Sequence, residues 1–110
     1  MALTKVRGKA VDGGTISTET AGTNNLILGS TAGDSIASGG NQNTCIGDTA
    51  GTAITTGDDN VTIGYQAGDA LTTGGSNVAI GKSALSTDDT DSGNVAVGHS
   101  AMENANGPKR

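Results

Sequence analysis

Five times from residue 25 onward the chain writes Asn, then a short alternation of apolar and small residues, then Gly: NLILG at Asn25, NTCIG at Asn43, NVTIG at Asn60, NVAIG at Asn77 and NVAVG at Asn94. A period of two over so few residues predicts a strand of four or five residues closed by a Gly that permits positive φ. One face carries Leu26/Leu28, Thr44/Ile46, Val61/Ile63, Val78/Ile80 and Val95/Val97; the other carries Ile27, Cys45, Thr62, Ala79 and Ala96. The Asn residues recur at spacings of 18, 17, 17 and 17, and Ala32, Ala50, Ala67, Ala84 and Ala101 follow each Gly by three. Between phrases lie DSIASG, TAITTG and DALTTG, read as a second short strand, and corners such as GDDN or GGSN lead back to the next Asn.

A unit of this kind predicts an all-β chain: a parallel β-solenoid, or β-roll, of about five coils of 17 residues. Stacking lays like residues on like at about 4.8 Å per layer. The large face is expected to form a narrow continuous core centred on Leu28, Ile46, Ile63, Ile80 and Val97. The small face and the Ala stripes are expected to point outward and admit another chain closely. Asn25, Asn43, Asn60, Asn77 and Asn94 are expected to take turn conformations and stack their amides in a hydrogen-bonded ladder. Gly29, Gly47, Gly64, Gly81 and Gly98 mark the turn that follows each strand.

Composition explains why repetition is needed. Only 18 of 110 residues are Val, Ile or Leu, none is Phe or Trp, and the net charge is -5, a balance that by itself reads as disorder. Ordering each residue costs roughly 1.5 kcal/mol, and an isolated irregular domain built on alanine cannot offset that. A thin stack also leaves open sheet edges and favours association of identical chains with closed symmetry.

The phrase N-[VT]-x-[IV]-G-x-x-A at this period, carried by residues 25–107, resembles the repeats of bacteriophage tail-fibre proteins and, more loosely, the head repeats of trimeric autotransporter adhesins. The resemblance implies left-handed coils and a homotrimer, intertwined or side by side. Leu85 and Met102 depart from the pattern, standing where earlier copies have Gly, and Asp88 occupies the place of Ile36, Ile54 and Leu71. The second strand of the fourth repeat is therefore expected to be displaced.

Two parts are expected, an N-terminal basic arm over residues 1–22 and the repeat domain over 23–110. Lys5, Arg7 and Lys9 place three positive charges and no acid in the first 11 residues, whereas all 11 acids lie beyond. Such an arm reads either as an anchor docking on an acidic neighbour or as a solvated terminus. No apolar run of signal-peptide or membrane-spanning length is present. A sixth repeat would open at position 111, one beyond Arg110, which reads either as coincidence or as the cut end of a longer fibre whose further part meets the host surface.

Little in the sequence suggests catalysis. His99 and Cys45 are the only residues of their kinds and fall three repeats apart, so no Cys/His pair forms within a chain. Asp58/Asp59 and Asp88/Asp89/Asp91 could offer oxygen ligands, but the nonapeptide pattern of a calcium β-roll is missing, and solvated corners are the better reading. GKS at Gly81 lacks the upstream Gly of a phosphate loop, and an acidic rod with one aromatic disfavours nucleic acid. Paired Thr55/Thr56 and Thr72/Thr73 are too few rows for an ice-binding array. No enzyme activity, cofactor, metal, nucleic acid or membrane partner is expected. The reading that unites the repeat, the missing signal sequence and the arm is a virion structural protein of a bacteriophage: a tail fibre, head fibre or capsid decoration whose arm contacts other virion proteins. An adhesin fragment of trimeric autotransporter type is the alternative.

Overall fold

The computed structural model describes residues 16–17, 20–87 and 90–104. They form one six-stranded sheet in chain order: β1 (Ile16–Ser17), β2 (Leu26–Leu28), β3 (Thr44–Ile46), β4 (Val61–Ile63), β5 (Val78–Ile80) and β6 (Val95–Val97). Strands β2 to β6 are parallel and in strict register, with Cys45 opposite Thr62 and Thr62 opposite Ala79, so the chain is an all-β solenoid. β1 differs. It pairs antiparallel with β2, Ile16 opposite Leu28.

Among the described residues each of the first three coils has one strand, not two. The segments around Ile36, Ile54 and Leu71 are turns, because residues with φ near 60° recur on both sides of them and bend the chain out of extended geometry. They still bond from coil to coil: Ala37 N–H donates to Thr55 C=O at 2.8 Å and Thr55 N–H to Thr72 C=O at 2.9 Å. The motif Gly residues sit at φ 125–147° from Gly29 to Gly98. A Cβ on Gly29, Gly47, Gly64 or Gly81 would lie 2.5–2.9 Å from backbone of the Gly one coil on, so the column permits the layers to touch.

The Asn column is buried from Asn25 to Asn94 and holds the corner by side-chain to main-chain bonds. Asn43 Oδ1 accepts the backbone N–H of Asn60 at 3.0 Å, Asn60 Oδ1 that of Asn77 at 2.9 Å, and Asn77 Oδ1 that of Asn94 at 2.8 Å. The amide nitrogens turn back into their own coils, with Asn43 Nδ2 donating to Gly57 C=O and Asn60 Nδ2 to Gly74 C=O. The expected amide-to-amide ladder appears at one rung, Asn60 Nδ2 to Asn43 Oδ1 at 3.1 Å. The left-handed turn conformation belongs to the residue before each Asn: Asn24, Gln42, Asp59, Ser76 and Gly93.

Burial reverses the expected faces. The interior is lined by Ile27, Cys45, Thr62, Ala79 and Ala96 from the strands, by Ala32, Ala50, Ala67 and Ala84 after the glycines, and by Ile36, Ile54 and Leu71 from the opposite wall. Leu28, Ile46, Ile63 and Ile80 are half-buried on the outer face, and Val97 is 63% exposed. They are not the core of the coil. The cause is width: two walls meet at close range, and the strand side has room for one side chain per coil.

Leu85 shows how tightly that width is used. A Cβ on Gly68 would stand 2.6 Å from Thr62 Cγ2 and 3.0 Å from Leu71 Cδ1, so this position must be Gly while the opposite wall supplies a large residue. In the fourth coil the strand contributes only Ala79, and Leu85, at φ 53°, turns inward to complete burial. Met102, at φ 54°, packs against the core in the same place one coil later. Aliphatic volume has moved along the coil by three positions.

Replacing Asn60 with Ala strands the Asn77 N–H and the Gly74 C=O in a dry corner, at a cost of about 2–4 kcal/mol. Chemical denaturation should show that loss for Asn60→Ala, and less than about 1 kcal/mol for Asn41→Ala, whose side chain lies in exposed bonds.

Candidate assembly surface

The outer face of the parallel sheet presents two columns, Leu26, Thr44, Val61, Val78, Val95 and Leu28, Ile46, Ile63, Ile80, Val97. Nine of these ten residues are aliphatic, and none is charged. Leu26 is 43% exposed, Val95 67% and Val97 63%, while the intervening residues are half-buried. Five strands at about 4.8 Å make a stripe about 19 Å tall. Beyond the glycines runs a polar column of Ser30, Asp48, Tyr65, Lys82 and His99, and the corner before each Asn is polar as well. An apolar centre with a polar rim on so lean a chain is the anatomy of a surface that binds protein.

The small residues do not serve that purpose. Both the middle row of the strands and the Ala32, Ala50, Ala67 and Ala84 column point into the coil, so the stripes expected to admit another chain are interior. Sequence reasoning missed the aliphatic stripe because it placed those side chains inside. Asn25, Asn43, Asn60, Asn77 and Asn94 and the motif glycines lie at the two ends of the strands, where they set register. Lys5, Arg7 and Lys9, and with them most of the proposed arm, lie outside the described residues.

Several polar groups elsewhere are occupied locally. Thr31 Oγ1 donates to Asp48 Oδ1 at 3.2 Å, and Asp58 Oδ1 accepts the Asn41 N–H at 2.8 Å, which makes the corner carboxylate a turn partner for the preceding coil. Asp88 and Asp89 lie outside the described residues. Among the described residues no three His, Cys, Asp or Glu side chains gather where a cation could sit, and no helix is long and apolar enough to cross a membrane. His99 is exposed on the last coil, three strands from the buried Cys45. Desolvation pushes the half-buried Asp69 carboxyl up, offset in part by a hydrogen bond from its own backbone. No known protein family, curated protein or solved structure matches the chain.

Desolvation also pushes the Cys45 thiol above its ordinary value of 9.0, with a hydrogen bond to Thr62 acting in the opposite direction. The folded chain therefore holds its thiol proton where the unfolded chain has released it. Stability from this group is fully present below the unfolded pKa and is lost as pH rises through the folded one. Thermal melts from pH 8 to 11 should show an alkaline decline that is smaller in Cys45→Ala, a residue the same column accepts at Ala79 and Ala96.

Proposed function

We propose that the chain is a structural subunit of a bacteriophage particle, a fibre or surface-decorating protein, in which three copies stand side by side with their aliphatic stripes turned inward. The exposed stripe carries this reading. Stability of one coil stack rests on a core one side chain wide, and burying a second apolar layer between chains adds about 25 cal/mol for each Å² removed from water. Three identical faces around one axis cover the stripe completely and leave the polar columns on the rim outside. The virion assignment draws on the resemblance of the repeat to tail-fibre repeats and on the charge division between residues 1–22 and the acidic coils. In this reading the coils act as a spacer or cover, and the basic arm docks on an acidic neighbour in the particle.

Light scattering should return the mass of about three chains. Ile63→Asp places an unpaired charge in the buried seam, at roughly 3–5 kcal/mol per chain, and should release single chains that keep a β circular-dichroism spectrum. Ala79→Asp puts the charge inside the coil and should abolish the spectrum itself. A folded wild-type monomer, or an Ile63→Asp protein still three chains in mass, would sink the arrangement.

The arm is separable from the seam. Deleting residues 1–15 keeps β1 and its pairing with β2, and in this reading should leave mass and melting unchanged. The same deletion should remove the protein from assembled particles, scored by immunoblot of purified virions.

A further inference from the structure

Two polar columns flank the aliphatic stripe at matching heights. The column running from Ser30 to His99 follows the strands, and Asn24, Gln42, Asp59, Ser76 and Gly93 precede them; every one of these residues is exposed. Main-chain bonds fix both columns from coil to coil. After the strands, Ser83 N–H donates to Tyr65 C=O at 2.9 Å and Ser100 N–H to Lys82 C=O at 2.8 Å; before them, Asp59 N–H donates to Asn41 C=O at 3.0 Å and Ser76 N–H to Asp58 C=O at 2.8 Å. Each rim residue is therefore held at the height of its own strand.

The side-by-side reading, on which the present inference rests, can bring these columns together in two simple ways. A rotation axis parallel to the stack keeps every residue at its own height and carries the end of one copy's strand to the start of the next copy's. Level by level, Asp48 then meets the Gln42 amide, Tyr65 meets Asp59, and Lys82 meets the Ser76 hydroxyl. Each contact joins a donor to an acceptor, and Lys82 stands one layer, about 4.8 Å, from the level of Asp59. A reversed copy in full overlap about β4 sets Asp58 and Asp59 against their own counterparts instead. Four carboxylates would share one level, and like charges so placed repel.

We infer that the Tyr65 hydroxyl donates to the Asp59 carboxylate of the neighbouring copy, closing the seam at the third coil and setting all copies in one direction. Tyr65 is the only aromatic residue of the chain and is 47% exposed beside the apolar stripe. Such a position suits a ring that covers apolar surface while its hydroxyl stays among polar groups. Asp58 is engaged within its own chain, its Oδ1 accepting the Asn41 N–H at 2.8 Å, so Asp59 is the carboxylate turned to the next copy. A phenol donating to a carboxylate is a charge-assisted bond with defined geometry, and it supplies direction that an aliphatic stripe lacks.

Sedimentation equilibrium on the full chain, with Tyr65→Phe, Asp59→Asn and the double variant, reads the contact. Asn tolerates the left-handed backbone that Asp59 adopts at φ 59°, so the coil itself is kept. Each single variant should raise the concentration at half-assembly about tenfold, and the double variant no further than either. Direction is read by cross-linking. Chains carrying Tyr65→Cys, refolded together with chains carrying Asp59→Cys, should be joined by a short bismaleimide, whereas neither kind alone should be; Cys45 is buried and stays silent. Self-joined Asp59→Cys chains, single variants that assemble like the wild type, or losses that add in the double variant overturn the inference and leave the side-by-side reading in place. A wild type that remains a single chain overturns both.

Discussion

The interior of each coil is one side chain wide on the strand side, and the remaining features adjust to that width. A wall of Ile27, Cys45, Thr62, Ala79 and Ala96 faces a wall of Ile36, Ile54, Leu71 and then Leu85, and the two tend to compensate: Ile27 and Ile36 meet across a Gly33 with no room for a Cβ, and Ala79 meets Leu85. An interior this narrow cannot shelter polar backbone from its own neighbours. The corner bonds of the Asn column and the close contact of the glycines therefore carry the register that a thick core would otherwise set through shape. Aliphatic residues left over from so small a cavity go to the outer face. A single stack therefore carries a second apolar layer on its outer face, the feature on which the proposed assembly rests.

The period, the Asn and Gly columns and the all-β class were legible because stacking demands that like residues recur at one spacing, and recurrence is visible in a string. The inside of the coil was not. Alternation sorts Val78, Ala79 and Ile80 into two faces but does not say which is interior, and the ordinary rule that large apolar residues go inside fails where the strand side of the cavity takes a single residue per coil, mostly a small one such as Cys45, Thr62, Ala79 or Ala96. A usable signal was present in the glycines after Ala50 and Ala67: a residue barred from having a Cβ implies a crowded neighbour, here Cys45 and Ile54, or Thr62 and Leu71. Leu85 stands out in the sequence as a break in the Gly column, while the expected displacement of the second strand of the fourth repeat, argued from Asp88, lies outside the described residues. Volume bookkeeping would have placed Leu85, since Leu appears where Gly stood in the coil whose opposite wall has lost its aliphatic. The second strand failed for a backbone reason, as left-handed residues at Thr49 and Gln66 and at Asp59 and Ser76 confine each coil to one extended run.

Because interior and exterior are separate apolar layers, the chain divides its stability in two. Bonds and small residues within the coil give a single stack its shape, and the outer aliphatics, half-buried along the middle of the sheet, form a separate layer on the other side of the same strands. Residues on the strands thus face opposite ways at adjacent positions, Ala79 into the coil and Ile80 onto the outer face.

The equal rungs also bear on how such a protein changes length. From Asn43 onward a segment running from one Asn to the next brings its own corner, strand and Gly, and its ends are equivalent to the ends of its neighbours. A duplication or deletion of 17 residues can therefore lengthen or shorten the rod by about 4.8 Å without repacking what flanks it. The first coil, with its extra residue around Gly39 and Gly40, and the coils filled by Leu85 and Met102 are less interchangeable. The rungs that can replace one another without repacking are accordingly those in the middle of the stack, where Gly51 and Gly68 still oppose Ile54 and Leu71.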